Sequence, residues 1–278
     1  ERAENEFLPQ NQKPFLNFII VGGGPTGVEL AGAIADISRT VLIHDFRRIN
    51  PQDTRIILVE AGDRLLASFD EKLSAHTKND LERLGVEVRL SSRVEKIDGE
   101  GVLIGTELIP SKSVFWAAGV QAVQIAITPL IKRDRTGRIQ VGADLSIPEF
   151  PEIFVVGDGA SVMISPEKMV PSLAPAAIQE GAYVAKSILQ DLRGKNRPLF
   201  RYLDKGQMAT IGKHKAVVQY GPLSLTGYLA WLGWFFVHIF YLVGFKNRVS
   251  VMAQWAWSYL FSKRGSRLIT DKDWKLKK

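Results

Sequence analysis

Cysteine is absent from this 278-residue chain, which removes disulfides, thiolate metal ligands, iron–sulfur clusters and a redox-active dithiol from the chemistry available within it. Its four histidines, His44, His76, His214 and His238, show neither H-x-x-x-H nor H-x-H spacing, so no metal site is expected. Net charge is +7, from 36 basic and 29 acidic residues, and at this length that is no signature of nucleic-acid binding. The basic residues are scattered along the front and gather beside apolar segments near the end, which suits an anionic membrane surface. Residues Glu1 to Glu6 are mostly charged and hold no apolar core, unlike a signal peptide. They also lack an initiating Met, so a chain that starts partway along a longer product is expected. With 46% apolar and 23% charged residues, the composition is globular, with room for one large domain or two ordinary ones.

The most informative stretch runs from Phe18 to Gly32, Phe-Ile-Ile-Val-Gly-Gly-Gly-Pro-Thr-Gly-Val-Glu-Leu-Ala-Gly. A β-branched run enters a glycine turn and leaves with helical periodicity. Gly22, Gly24 and Gly27 match G-x-G-x-x-G, whose glycines give a tight turn, close backbone approach to a pyrophosphate, and close helix-to-strand contact. Pro25 and Thr26 open the helix. Proline's missing N–H and fixed φ cost nothing there, and the remaining N–H groups and the dipole favour an anion. Such a motif also occurs in ordinary turns, so context decides. The second apolar run, Arg55 to Glu60, ends in the acid expected on the adenosine ribose of NAD. Glu60 lies 38 residues beyond Gly22, against about 20 in the usual fingerprint. The excess fits an insertion from Arg39 to Thr54, in which His44 to Arg48 reads as a polar helix and Asn50-Pro51 as a turn. Glu60 would repel a 2′-phosphate, which favours NAD over NADP, with nearby Arg64 as the counter-argument.

Around this turn the chain alternates strand and helix. Pro9 and Pro14 are expected to stop any helix in the polar lead-in. Asp70 to Leu84 reads as a helix ended by Gly85, Val86 to Leu90 as a strand, Val94–Ile97 and Gly101–Ile104 as a hairpin, and Ser113–Ala117 as a buried strand. A second set follows: a short strand at Gly137–Val141, a buried parallel strand at Ile153–Asp158, and a helix from Ala174 to Leu192 closed by Gly194. Asp158, at a strand's carboxyl end, is placed either to bind a ligand or merely to cap the next turn.

Charge is missing altogether from residues 216 to 245, a run of 30. Tyr228 to Phe245, read as one helix, would be about 27 Å long at 1.5 Å per residue, barely the thickness of a hydrocarbon core. Its aromatic residues are spread over the whole length instead of forming two belts. Val249 to Phe261 adds another aromatic helix, with Trp255 and Trp257, followed by Lys263, Arg264 and Arg267. The pattern points to helices lying in a membrane interface over residues 223–261, with a spanning helix and a buried or dimer interface as the alternatives.

Together these motifs resemble the type II NADH:quinone oxidoreductases, flavoproteins with two dinucleotide-binding domains. The most specific pieces are residues 21–32, Trp-Ala-Ala-Gly at 116–119, Phe-Val-Val-Gly-Asp at 154–158, Ala-Pro-Ala-Ala-Ile-Gln-Glu-Gly at 174–181, and the Trp-rich tail ending in Arg267-Leu268-Ile269. The resemblance implies an α/β chain with two Rossmann-like domains, the FAD one incomplete, and C-terminal amphipathic anchoring helices. Its expected parts are a linker at 1–13, an NADH domain at 14–125, the closing part of the FAD domain at 126–198, and a membrane-associating region at 199–278. It implies NADH on Gly22, Gly24, Pro25, Thr26, Gly27 and Glu60, with the nicotinamide near Glu29 and the Ala118-Gly119 turn. FAD would meet Gly157, Asp158, Ala174 and Pro175, and a membrane quinone would meet Ile178 and Gln179. The family's A-Q-x-A-x-Q motif keeps its second glutamine here as Gln179 and has Pro175 in place of the first. Hydride would pass from NADH to FAD and electrons on to quinone, with no nucleophilic side chain and no proton pumping. The implied location is peripheral, on the cytoplasmic face of an inner or plasma membrane, and a homodimer is compatible with it.

The family's earlier G-x-G-x-x-G, which opens the FAD domain, has no counterpart before Phe18. The 278-residue chain is therefore expected to bind NAD and to hold FAD weakly or not at all. The competing readings are a non-catalytic, membrane-associated NAD-binding module and a soluble ferredoxin-reductase-like FAD/NAD oxidoreductase.

Overall fold

The computed structural model describes residues 1–123, 131–165, 168–241 and 244–261. They fall into two compact units, Glu1–Ala118 with the chain from Gln207 onward, and Gly119–Gly206. The chain from Gln207 thus shares a unit with its front, residues Glu1–Ala118.

In the first unit, short helices α1 (Arg2–Asn5) and α2 (Pro9–Leu16) lead in. The two prolines do not stop a helix. Pro9 opens α2, where its absent N–H has no helical acceptor to lose, and Pro14 sits within the helix. Strands β1 (Asn17–Val21), β2 (Arg55–Val59) and β3 (Val86–Arg89) are joined by α3 (Pro25–Asp36) and α4 (Glu71–Arg83). An antiparallel meander, β4 (Val94–Ile97), β5 (Gly101–Ile104) and β6 (Glu107–Pro110), extends the expected hairpin by one strand. Strand β7 (Ser113–Trp116) then returns beside β1, giving a parallel sheet of order β3-β2-β1-β7.

Alternation along the strands explains the layering. Ile20, Ile56 and Leu58 point to one face and pack with Val28, Ala31, Ala35, Leu73 and Leu81 of the helices. Ile19, Val21, Ile57 and Val59 point to the other and pack on Val102, Ile104 and Ile109 of the meander. A strand buried on both faces must be apolar, as β1 and β2 are after their first residues, Asn17 and Arg55.

The insertion after α3 differs from its sequence reading. The helix widens into a π-turn at Ile37–Val41, a 3-10 turn forms at Pro51–Asp53, and His44–Arg48 is not helical. That segment is instead held by the Glu4 carboxylate, which accepts the N–H groups of Arg47, Arg48 and Ile49 at 3.1–3.2 Å.

In the second unit, β8 (Ile139–Gln140), β9 (Ser146–Ile147), β10 (Phe150–Phe154), β11 (Ala160–Ser161), β12 (Met163–Ser165) and β13 (Lys168–Met169) form three two-stranded pieces beside α5 (Ala174–Asp191). The buried parallel strand expected at Ile153–Asp158 is not there. Strand β10 is partly exposed and pairs antiparallel with β9, the chain turns through a 3-10 segment at Gly157–Gly159, and parallel pairing begins only at β11 with β8. Pro151 lies where the β9–β10 register is irregular, and the left-handed Gly157 ends the apolar run Ile153–Val156.

Back in the first unit, β14 (Gln207–Thr210), β15 (Ala216–Tyr220) and β16 (Leu223–Thr226) form an antiparallel sheet packed on α3 through Ala209, Ile211 and Val217. A Cβ on Gly32 would lie 2.5 Å from the Gly212 nitrogen, so only glycine permits this approach. The first third of the uncharged run is therefore sheet. The run continues as α6 (Gly227–Tyr241) and closes on the first residue of α7 (Phe245–Phe261), with Gly244 in a bend before it, so the single helix expected from Tyr228 to Phe245 is not formed. Trp234 and Trp255 stack at 5.7 Å between the two helices. No described helix is long and apolar enough to cross a membrane. Lys263, Arg264, Arg267, Leu268 and Ile269 lie outside the described residues.

Candidate functional site

The glycine turn sits at the carboxyl ends of β1 and β2. Gly22 has φ +111°, and a Cβ there would lie 2.5 Å from the Ala117 carbonyl oxygen and 2.7 Å from the Ala118 nitrogen. A Cβ on Gly27 would lie 1.9 Å from the Gly22 oxygen, which locks the start of α3 against the strand end. Gly24 differs from both, because its Cβ direction is open, with no atom within 4 Å. That open face is the cradle a pyrophosphate needs. Gly24 precedes α3 with no side-chain cap, Pro25 takes the first position, and Thr26 is exposed. The first N–H of α3 with a helical acceptor is that of Val28, on the Gly24 carbonyl at 3.0 Å. The N–H groups of Thr26 and Gly27 are thus the orphan donors of a helix start, suited to an anion.

Glu60 closes this turn from the end of β2. Its Oε2 accepts the Gly23 N–H at 2.5 Å and its Oε1 accepts the Gly62 N–H at 2.6 Å. The Gly23 carbonyl accepts in turn from Leu66 N at 2.8 Å. A carboxylate has about four lone-pair positions, so two remain for the hydroxyls of a ribose. Arg64 is turned away to the Ala67 carbonyl at 3.0 Å and to Glu71 at 3.1 Å. Glu29, half-buried on α3, spends Oε1 on the Thr210 N–H at 3.1 Å, a tie between α3 and β14. Ala118 follows β7, and Gly119 takes φ +99° with its Cβ direction open.

The second unit holds the other candidate residues. Gly157 takes φ +66°, and its N–H donates to Oε2 of Glu180 at 2.5 Å. Asp158 is exposed in the turn that follows, and its carboxylate can accept from ligand hydroxyls. Ala174 and Pro175 form the first turn of α5, which has no side-chain cap. Ile178 is 62% exposed. Gln179 is not free in the same way: its Nε2 donates to the carbonyls of Leu203 and Pro175 at 3.0 and 3.1 Å, and its Oε1 accepts the Leu203 N–H at 3.0 Å. Its amide therefore clips residue 203 to α5. Glu180 escaped the sequence reading, although an acid falling in the buried series Ala176, Glu180, Ser187 was a legible irregularity.

Residues 2–181 match the pyridine nucleotide-disulphide oxidoreductase family, and residues 205–264 match the NDH2 C-terminal domain. The chain belongs to the pyridine nucleotide-disulphide oxidoreductase family. Within this family it is 39% identical over 283 residues to the type II NADH:quinone oxidoreductase Ndh of Mycobacterium tuberculosis, covering 98% of this chain and 60% of that protein. It is 38% identical over 274 residues to NdhA of the same organism, covering 92% and 56%. The chain thus spans a little under two thirds of the length of these relatives. Among solved structures, NDH2 from Plasmodium falciparum in complex with NADH superposes with a TM-score of 0.83 at 19% identity, over 95% of this chain and 70% of that one. This likeness establishes a shared fold.

Proposed function

We propose that this member of the oxidoreductase family carries the NADH site, part of the flavin site and the membrane-facing helices of a type II NADH:quinone oxidoreductase. The observation that carries the reading is the glycine turn, with its open Gly24 face, two orphan N–H groups and an acid at its mouth. The Gly24–Gly27 backbone holds the NADH pyrophosphate, and Glu60 accepts from the adenosine ribose. A 2′-phosphate would meet Glu60, while Arg64 is occupied elsewhere, so NADH is preferred to NADPH. Asp158 holds the ribityl chain of FAD, with Ala174 and Pro175 beside it. When bound, FAD supplies the hydride acceptor and the relay of two electrons to quinone. Ile178 offers an exposed apolar contact for quinone, and Gln179 shapes that end through its clip on Leu203. No proton pumping is part of the scheme.

The membrane contact rests on α6 and α7. Leu229, Phe236 and Phe240 are exposed on α6, whose opposite side packs through Ala230, Trp231 and Trp234, and Phe245 and Trp257 are exposed on α7. The guanidinium of Arg248 lies 5.5 Å over the Phe240 ring, placing a cation beside the apolar surface. Apolar patches rimmed by cations suit an anionic interface. The reading is tested by supplying the chain with FAD and measuring NADH-dependent reduction of a soluble quinone. Alongside, co-sedimentation with anionic vesicles compares the wild type with a Phe236→Ser, Phe240→Ser double variant. Quinone reduction and loss of vesicle binding in the variant are expected. Tight NADH binding without quinone reduction would return the chain to a non-catalytic NAD-binding module, and vesicle binding unchanged in the variant would leave α6 as an interface between copies.

A further inference from the structure

Glu180 is a buried acid that neither the pyrophosphate cradle nor the quinone end uses. It is 2% exposed on α5, at a position where the helix otherwise buries Ala176 and Ser187. Burial pushes its carboxyl above the usual carboxylate range, and the charge of Asp158 adds to this. An acid held at such a cost needs a reason. Its Oε2 takes the Gly157 N–H at 2.5 Å, and a Cβ on Gly157 would lie 3.5 Å from the Ala177 side chain. Ala177 and Glu180, three residues apart on one helix face, therefore both meet this turn. The turn has little else to hold it. Gly157 is left-handed, the 3-10 segment has no side-chain cap, and Val156 before it is exposed.

We propose that Glu180 is a positioning residue: by holding the Gly157 N–H it fixes the Gly157–Gly159 turn on α5 and so aims the exposed Asp158 carboxylate at its ligand. This rests on the reading that Asp158 binds the ribityl chain of FAD. A carboxylate is the strongest neutral-pH acceptor a side chain can offer to a single backbone N–H. It acts from beneath the turn, leaving the Asp158 side free.

The test uses the full chain with Glu180→Leu, Glu180→Gln and Asp158→Ala. Two quantities are measured: amide hydrogen exchange of peptides spanning 155–160, and FAD affinity by flavin fluorescence titration. Glu180→Leu should speed exchange and weaken FAD by about tenfold or more, as Asp158→Ala does for FAD. Glu180→Gln, which keeps an acceptor oxygen, should restore both to within about threefold. NADH affinity, a property of the first unit, should not move in either. Unchanged exchange in Glu180→Leu would overturn the proposal, and so would faster exchange without weaker FAD where Asp158→Ala weakens it. If Asp158→Ala leaves FAD affinity untouched, the ribityl reading fails, while exchange still decides whether Glu180 holds the turn. Should Glu180→Leu not fold, Glu180→Asp, which withdraws the carboxylate by one methylene, should show the same changes at smaller size, and their absence would count against the role.

Discussion

Two glycine turns in this chain are each held by a glutamate, yet the two glutamates are placed differently. At Gly22–Gly27 the acid is Glu60, which stands at the mouth with both oxygens on backbone N–H groups and lone pairs to spare. At Gly157–Gly159 the acid is Glu180, which lies beneath the turn with one oxygen on one N–H. Their foundations differ too. The first turn closes a four-stranded parallel sheet whose Ile19, Ile20, Ile56, Ile57 and Leu58 are fully buried. The second stands among two-stranded pieces clipped by ion pairs: Asp134 with Arg138, and Arg197 with Asp144 and Asp191 at 2.7–2.8 Å. Where hydrophobic burial is deep, the acid ties two backbone N–H groups and still keeps lone pairs that a ligand can use. Where it is thin, the acid supports the backbone.

The largest effect should come from the glycines themselves. Gly27→Ala places a Cβ 1.9 Å from the Gly22 carbonyl oxygen, a backbone clash with no side chain able to yield. It should cost about 3 kcal/mol or more and abolish NADH binding. Gly157→Ala meets only the Ala177 side chain at 3.5 Å, so its cost is that of a left-handed alanine, about 1 kcal/mol. Denaturant titrations of the two variants check the difference, and equal losses would break the contrast between the turns.

Acid should separate the units next. Burial opposes ionisation of Asp134, but hydrogen bonds from Thr136 and Arg138 outweigh it and hold its carboxyl down to about 2. A carboxyl depressed from 3.8 contributes stability above that value and loses it as pH falls through the folded-state value. At 1.36 kcal/mol per unit this amounts to about 2 kcal/mol. Ion pairing with Arg197 depresses Asp191, and hydrogen bonds from Ser146 and Arg197 depress Asp144 against its burial, so both add to the same trend. In the first unit Asp36 is displaced the other way, its burial outweighing the Lys213 N–H and neighbouring cations. Peptides from 131–165 should lose exchange protection between pH 4 and 2 before those of β1 and β2 do. Asp134→Asn should reduce the pH dependence of that loss, with Asp144 and Asp191 carrying the rest.

Legibility in the sequence follows the same division. The glycine turn, β1, β2 and α4 could be read because each is fixed locally, by a β-branched run, a special glycine or the Asp70 cap on Lys72 N at 2.9 Å. The second turn reads as the end of a strand because Ile153–Val156 has strand composition, while the structure ends that strand at Phe154 and turns at the left-handed Gly157. The membership of β14–β16 in the first unit was invisible for a further reason. It depends on Gly32 meeting Gly212 and Glu29 meeting Thr210, contacts set by distant segments. Gln179 stands out in the sequence as a candidate, but its clip on Leu203 is not legible there.

A smaller effect isolates the cradle from the fold. Gly24 has φ −72°, an ordinary value for any residue, and an open Cβ direction. Gly24→Ala should therefore fold as well as the wild type, yet its methyl group would occupy the face where the backbone must approach phosphate. NADH affinity should fall about tenfold, or about 1.4 kcal/mol, with the melting temperature unchanged. Undiminished affinity would move the pyrophosphate away from this turn.

The finest distinction lies between the two glutamates, and the same substitution reads it. Glutamine offers one acceptor oxygen and an NH2 group that can only donate. At position 60 both carboxylate oxygens are engaged, so Glu60→Gln must set its NH2 against the N–H of either Gly23 or Gly62. One amide then loses its partner, which costs about 1 kcal/mol at a half-exposed site. The ribose also loses a charged acceptor, so NADH should bind several-fold more weakly while the discrimination against NADPH narrows. At position 180 only one oxygen is engaged, and Glu180→Gln can present its own oxygen to Gly157. That variant should match the wild type in exchange and NADH affinity. Calorimetric titration with NADH and NADPH measures both variants, and a Glu60→Gln protein indistinguishable from the wild type would show that the acid at the mouth supports the turn without reading the ligand.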